Sequence, residues 1–246
     1  RYNNMQKAKK IQLNSAYGAL ANLYFRWFNF NLAESITMSG QLSIRWIEQK
    51  INLYMNNMLK TKDIDYVIAA DTDSIYVNMA DLVNRTGIAD NKLIVDAIDK
   101  FCEQKIQPYI DECYQILADR MSAYQQKMKM KRETIANKGI WRKKKMYILN
   151  AWDIEGVRFE TPELKMNGIE AVRSSTPRSC RVAIKKALEI IMNKDENALN
   201  DFVIKYRNEF DHLPFEDIAF PRGMNGLNEY KDNFTIFKSG TPIHTK

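Results

Sequence analysis

Histidine and cysteine are scarce in this chain: two histidines, His212 and His244, and three cysteines, Cys102, Cys113 and Cys180, among 246 residues. No C-x-x-C pair occurs, which argues against a zinc centre and against a disulfide framework and leaves reduced, structural thiols as the expectation. No apolar run approaches the roughly 20 residues that a membrane helix needs, and no charged, apolar and small-residue succession of signal-peptide kind opens the chain. An intracellular, soluble protein without a membrane partner is expected. Internal repeats and low-complexity tracts are also missing. What is present is core-forming material: 45% hydrophobic and 11% aromatic residues, enough for one large domain or two ordinary ones.

The formal net charge of +7 is concentrated. Residues 121–150 hold nine lysines and arginines (Lys127, Lys129, Lys131, Arg132, Lys138, Arg142, Lys143, Lys144, Lys145) against one acid, Glu133, so the remainder is close to neutral. A localised excess suits a polyanionic partner, since each neutralised phosphate releases condensed counterions. A solvated lysine-rich face explains the same composition, and charge alone leaves both open.

The hydrophobic pattern predicts an α+β chain. Helices are expected over residues 2–17, with Gly18 as the stop, over 33–59, where Ile36, Ile44, Ile47, Ile51 and Tyr54 recur at near-helical spacing, and over 91–121, interrupted near Pro108. Two strands flank residues 71–73, and "KKMYILNAWDIEGVRF", residues 144–159, reads as strand, turn at Glu155-Gly156, strand. After "SSTP" the chain returns to helix, with Ser or Thr as cap and Pro177 at the first helical position. Further helix is expected through Asn193 and over about 196–210, then an irregular Gly-, Asn- and Pro-rich stretch over 214–246. A mainly helical second unit begins near residue 170.

Within "DYVIAADTDSIYVNMA", residues 65–80, Asp71 and Asp73 interrupt a strand-like run. Two apart, they face one side of an extended strand or converge at a hairpin tip. Close carboxylates repel unless a cation joins them, and a hard divalent ion such as Mg²⁺ takes oxygen ligands while keeping positions for water and phosphates. An EF-hand is excluded, because Tyr76 stands at its glycine position and Leu82 at its closing glutamate position. D-T-D-S is also ordinary turn chemistry, since Asp and Ser bond their own backbone. A second constellation lies in "KKIQLNSAYG": Lys10, Asn14 and Tyr17, at i, i+4 and i+7, put a cation, an amide and a phenol on one helical face, followed by Gly18. That face suits a phosphate and a base, or simply faces solvent.

Taken together and in this order, the motifs resemble those of family B (polymerase-alpha-like) DNA polymerases, especially the replicative enzymes of T-even-like bacteriophages. K-x-x-x-N-S-x-Y-G at residues 10–18 resembles the fingers-helix motif for the incoming nucleotide. D-T-D-S at 71–74 resembles the palm motif for catalytic metal, K-K-x-Y (Lys144, Lys145, Tyr147) the primer-contacting motif, and "LKMNGIEAVRSSTP" at 164–177 the palm-to-thumb junction. The resemblance implies a fold of one fingers helix (residues 1–21), the C-terminal part of an antiparallel palm with helices (22–168) and the start of a helical thumb (169–246). It implies Asp73 as a metal ligand shared by two ions, Asp71 in a supporting place at the site's edge, and Lys10 on the triphosphate. Asn14, Tyr17 and Gly18 would border the nascent base pair. Lys144, Lys145 and Tyr147 would hold primer, and Lys165 and Arg173 would contact exiting duplex. The implied cofactor is Mg²⁺, with Mn²⁺ as substitute. The implied substrates are primer-template DNA and deoxynucleoside triphosphates, and the implied reaction is in-line attack of a primer 3′-hydroxyl on an α-phosphate.

The sequence also departs from the family pattern. Ala69-Ala70 precedes D-T-D-S where Tyr-Gly is usual, and Met146 stands where phage relatives often carry a basic residue. "DIE" at 153–155 imitates an exonuclease motif at a palm-strand position. No D-x-x-S-L-Y-P-S motif, exonuclease domain or C-terminal clamp-binding tail is present, so the chain is expected to be the C-terminal portion of a polymerase, inactive alone and completed by the missing N-terminal portion. A host-cell cytoplasmic location would follow from a phage origin. A subunit of a split polymerase, a non-catalytic duplex-binding module and, last, a helical scaffold for other replication proteins remain as alternatives.

Overall fold

The computed structural model describes residues 2–221 and divides into two compact units, residues 1–135 and 136–246. The first opens with two helices, α1 (Tyr2–Leu20) and α2 (Phe30–Leu59). Asn29 caps α2 by accepting the Leu32 N–H at 2.9 Å, and Lys60, in the left-handed region at φ 51°, ends it. Between them, Ile47, Ile51, Met55 and Leu59 recur every four residues and form a buried stripe. That stripe packs against Ile106, Ile110, Cys113, Tyr114 and Leu117. Trp46 Nε1 donates to the Cys113 carbonyl at 2.9 Å and fixes the two elements in register.

The helix expected over 91–121 is three segments: α4 (Asn91–Phe101), a π-helical turn (Cys102–Ile106) and α5 (Gln107–Arg120), with the short α3 (Ala80–Thr86) preceding them. Gln107 N–H bonds the Cys102 carbonyl five residues back. Pro108 explains the widening, because it has no N–H to donate and its ring crowds the carbonyl four residues earlier. Burial pushes the Cys102 thiol up to about 11, with Arg132 opposing in part, and it raises the Cys113 thiol as well. All three cysteines are free thiols.

The strands about the carboxylates are β1 (Val67–Asp71) and β2 (Ser74–Val77), an antiparallel pair with a bulge that leaves Ile68 extra between Val67 and Ala69. In the second unit, β3 (Thr134–Lys143), β4 (Met146–Ile154) and β5 (Val157–Asn167) form a sheet in chain order. A 3-10 turn (Glu170–Val172), α6 (Arg178–Asn193), α7 (Glu196–Phe210) and α8 (Phe215–Ile218) follow. Met146 and Ile148 of β4 alternate onto the face that buries Ile169, Ala171 and Met192. The α+β class holds, with two small antiparallel sheets among the described residues.

Four local expectations change. Helix α1 runs through Gly18 to Leu20, because Gly18 adopts no positive φ and so gives no left-handed stop. Lys144 and Lys145 form a turn and not a strand start, and β3 was hidden among the basic residues of its sequence. Pro177 precedes α6 as its capping residue: its ψ of 147° is extended, and its carbonyl accepts the Arg181 N–H at 3.0 Å. The strand expected through residue 159 continues as β5 to Asn167 after the Glu155-Gly156 turn. Of the irregular stretch expected over 214–246, residues 222–246 lie outside the described residues. No described helix is long and apolar enough to cross a membrane.

Candidate functional site: a carboxylate hairpin and a basic strand turn

Asp71 closes β1 and Ser74 opens β2 directly opposite, leaving Thr72 and Asp73 as a two-residue loop. Thr72 has a φ of 49°, which β-branched residues rarely adopt. Asp71 holds this turn. Its carbonyl accepts the Asp73 N–H at 2.5 Å and the Ser74 hydroxyl at 3.2 Å, and its carboxylate accepts the Thr72 hydroxyl at 3.0 Å. Asp73 is exposed, and among the described residues nothing donates to its carboxylate. The two acids therefore differ: one oxygen of Asp71 is engaged in turn geometry, whereas both of Asp73 face solvent. No described cluster adds a third Asp, Glu, His or Cys to the pair.

An amide on α2 sets the hairpin's position. Asn52 Oδ1 accepts the N–H groups of Tyr66 at 2.8 Å and Val67 at 2.9 Å, and its Nδ2 donates to Asp65 at 2.7 Å. Asn78 N–H closes the other strand onto the Tyr66 carbonyl at 2.7 Å. Asn52 was not singled out by sequence reasoning, since a lone asparagine on a helix carries no periodic or motif signal.

Lys10, Asn14 and Tyr17 do lie along one exposed face of α1, spanning about 10 Å at 1.5 Å per residue. A Cβ on Gly18 would meet nothing within 4 Å. No hydrogen bond joins this set to Asp71 or Asp73.

In the second unit the structure brings the remaining candidates to one end of the sheet. Lys144 and Lys145 form the β3–β4 turn, exposed and with no described hydrogen-bond partner, and Lys145 takes a left-handed φ of 60°. Tyr147 stands opposite Asn167, and Lys165 opposite Leu149, so Tyr147 and Lys165 are diagonal neighbours on the face away from Met146 and Ile148. Arg173 reaches the same end and donates to the Gly168 carbonyl at 3.4 Å. Sequence reasoning missed two supports of this turn, Gly168 and the Arg142–Glu170 ion pair at 3.7 Å. A glycine just past a strand end was the available signal. The "DIE" acid, Asp153, is fully buried and occupied: it accepts the Gly156 N–H at 3.0 Å and pairs with Arg158 at 3.2 Å, which holds the Glu155-Gly156 turn.

The first unit thus offers oxygen donors suited to a hard cation, and the second offers exposed point charges beside a phenol, suited to a phosphate backbone and its groove. The sequence model of DNA polymerase family B matches residues 1–115. The chain is 34% identical over 241 residues to the DNA-directed DNA polymerase of Enterobacteria phage T4, covering 94% of this chain and 27% of that protein. It is 36% identical over 233 residues to the DNA-directed DNA polymerase of Escherichia phage RB69, covering 90% of this chain and 26% of that protein. The chain spans about a quarter of the length of these relatives. With similarity running along nearly its whole length, the chain belongs to DNA polymerase family B.

Proposed function

We propose that this chain contributes part of the catalytic core of a DNA-directed DNA polymerase, comprising the end of the fingers (residues 1–21), the C-terminal half of the palm (22–168) and the start of the thumb (169–246). The observation that carries the reading is the Asp71–Ser74 hairpin, where one carboxylate organises a strained turn and the next is left exposed with both oxygens unclaimed. An all-oxygen donor pair fits Mg²⁺, or Mn²⁺ in its place, and Asp73 with Asp71 would hold it. The chemistry such cations supply when bound is activation of a primer 3′-hydroxyl and neutralisation of the charge on the departing pyrophosphate. Lys10 on the exposed face of α1 binds triphosphate oxygens as a point charge, and Asn14, Tyr17 and Gly18 border the base pair being formed. Lys144, Lys145 and Tyr147 grip the primer backbone, and Lys165 and Arg173 follow the duplex outward.

Two carboxylates are fewer than a metal pair requires, so the remaining ligand is supplied by another polymerase segment, and this chain alone does not extend primers. The same shortfall among the described residues favours one alternative, a non-catalytic duplex-binding module built on the basic turn. Primer extension separates them. This chain, alone and mixed with a segment carrying the upstream D-x-x-S-L-Y-P-S motif of a phage relative, is given Mg²⁺ and all four deoxynucleoside triphosphates. Extension only in the mixture, lost in Asp73→Ala with duplex affinity retained, supports the catalytic reading. An associated, duplex-binding but inert mixture supports the module.

A further inference from the structure

The turn that carries Lys144 and Lys145 has no packing of its own: both side chains point into solvent, and Lys145 sits at a φ of 60°, where a residue with a Cβ is strained. Something must hold it. The segment that follows β5 does so directly at Gly168, with two further contacts bracing the end of β3 and the segment itself. Gly168, at φ 66°, lies so close to the turn that a Cβ built on it would stand 2.3 Å from the Lys145 carbonyl oxygen, 3.3 Å from the Lys145 carbonyl carbon and 3.0 Å from Met146 Cγ. The first of these is a backbone atom and cannot swing aside. Glu170 of the 3-10 turn pairs with Arg142 near the end of β3, and Arg173 folds back onto the Gly168 carbonyl. Of the three described glycines with positive φ, Gly87 and Gly156 have open space where a Cβ would go, and among them only Gly168 is also in contact.

We propose that Gly168 is a positioning residue for nucleic-acid binding: it lets the backbone after β5 abut the Lys145 carbonyl and so fixes the direction in which Lys144 and Lys145 meet the duplex backbone. The inference rests on the primer-contacting reading of that turn. Glu170 gives the arrangement a second function. By pairing with Arg142 it draws that cation toward the 3-10 turn and leaves Lys143 and the two turn lysines as the exposed cations at the tip.

The test compares Gly168→Ala with Gly156→Ala in the full chain. Both substitutions force a Cβ onto a left-handed glycine in the second unit, but only the first adds a clash with the lysine turn. Two readouts are taken: trypsin cleavage after Lys144 and Lys145 in the absence of DNA, and the salt dependence of binding to a blunt duplex. Gly168→Ala is expected to speed cleavage at the turn at least fivefold. It should also lower the slope of log K against log salt by about 1 to 2, the loss of one to two phosphate contacts, while Gly156→Ala changes neither. In a Lys144→Ala/Lys145→Ala background, Gly168→Ala should leave the slope where the double substitution put it. Cleavage in Gly168→Ala no faster than in Gly156→Ala overturns the positioning role whether or not DNA binds. Faster cleavage with an unchanged slope overturns the link to the duplex. A wild-type chain with no salt-dependent duplex binding refutes the primer-contacting reading itself, and with it the nucleic-acid half of the inference.

Discussion

Replacing Asn52 should loosen the carboxylate hairpin without touching it. The amide oxygen accepts two backbone N–H groups, from Tyr66 and Val67, residues only 2% and 4% exposed. In Asn52→Ala both donors lose their acceptor where water reaches them poorly. A buried unsatisfied donor costs roughly 1 to 3 kcal/mol, so the expected loss from the two is about 2 to 6 kcal/mol, a large share of the 5 to 15 kcal/mol typical of a domain. With a urea m-value of about 2 kcal/mol/M, the midpoint should fall by about 1 to 3 M, and amide exchange should accelerate first at Tyr66 and Val67. Asn52→Asp retains an acceptor for both N–H groups and gives up the exposed bond to Asp65, adding a like charge beside it. It should therefore lose less than half as much. A midpoint for Asn52→Ala within about 0.3 M of wild type, or unaltered exchange at those two amides, would refute the anchoring role. In the reconstituted extension assay Asn52→Ala should also incorporate more slowly than wild type, because the loop carrying Asp73 is no longer held to α2.

Neutralising both turn lysines, Lys144→Ala/Lys145→Ala, should lower the slope of duplex affinity against log salt by about 1.8, measured by fluorescence anisotropy at several salt concentrations, and leave thermal stability within about 0.5 kcal/mol. Gly18→Ala places a methyl group in open space inside α1 and should raise helix stability by about 0.5 to 1 kcal/mol by circular dichroism, while slowing incorporation in the reconstituted enzyme if Gly18 borders the base pair. Cys102 should resist iodoacetamide at pH 8 in the native chain and react promptly in urea, followed by peptide mass spectrometry. Burial raises its thiol from 9.0 to about 11, so the folded state holds that proton more tightly than the unfolded state does. The sign follows: stability falls as pH rises from about 9 to about 11, and Tyr109, raised by burial to about 12, extends the decline above pH 10.

The sequence was most legible where one physical signal dominated. Helix α7 was expected over about residues 196–210 and occupies that range, where the structure adds Asp195 as its cap, accepting the Ala198 N–H. The β1–β2 hairpin was legible because β-branched residues flank a turn-forming D-T-D-S. Strand β3 was not, since "TIANKGIWRK" alternates poorly and its basic residues read as a charged segment. Its Gly139 accommodates the Trp141 ring, a packing relation that no one-dimensional pattern records. Of the candidate site, the residues at each motif were visible, but what holds them was not. Asn52 and Gly168 act through contacts with residues at least 13 positions away, and their chemistry looks ordinary until those partners are in place.

The π turn between α4 and α5 acts as a phase shifter. Each residue in a helix advances side chains by about 100°, so one added residue absorbed over a few positions rotates everything downstream by a little over a quarter turn. Deleting any single residue from Cys102–Ile106 should be harmful, because it removes the extra residue that the Pro108 site accommodates and Ile110, Cys113, Tyr114 and Leu117 would swing off the stripe formed by Ile47, Ile51, Met55 and Leu59. Related chains should then tolerate substitutions along this stretch far better than changes in its length, apart from compensated pairs of insertion and deletion. Loss of one residue would be repaired most readily by gaining another within the same two turns of helix.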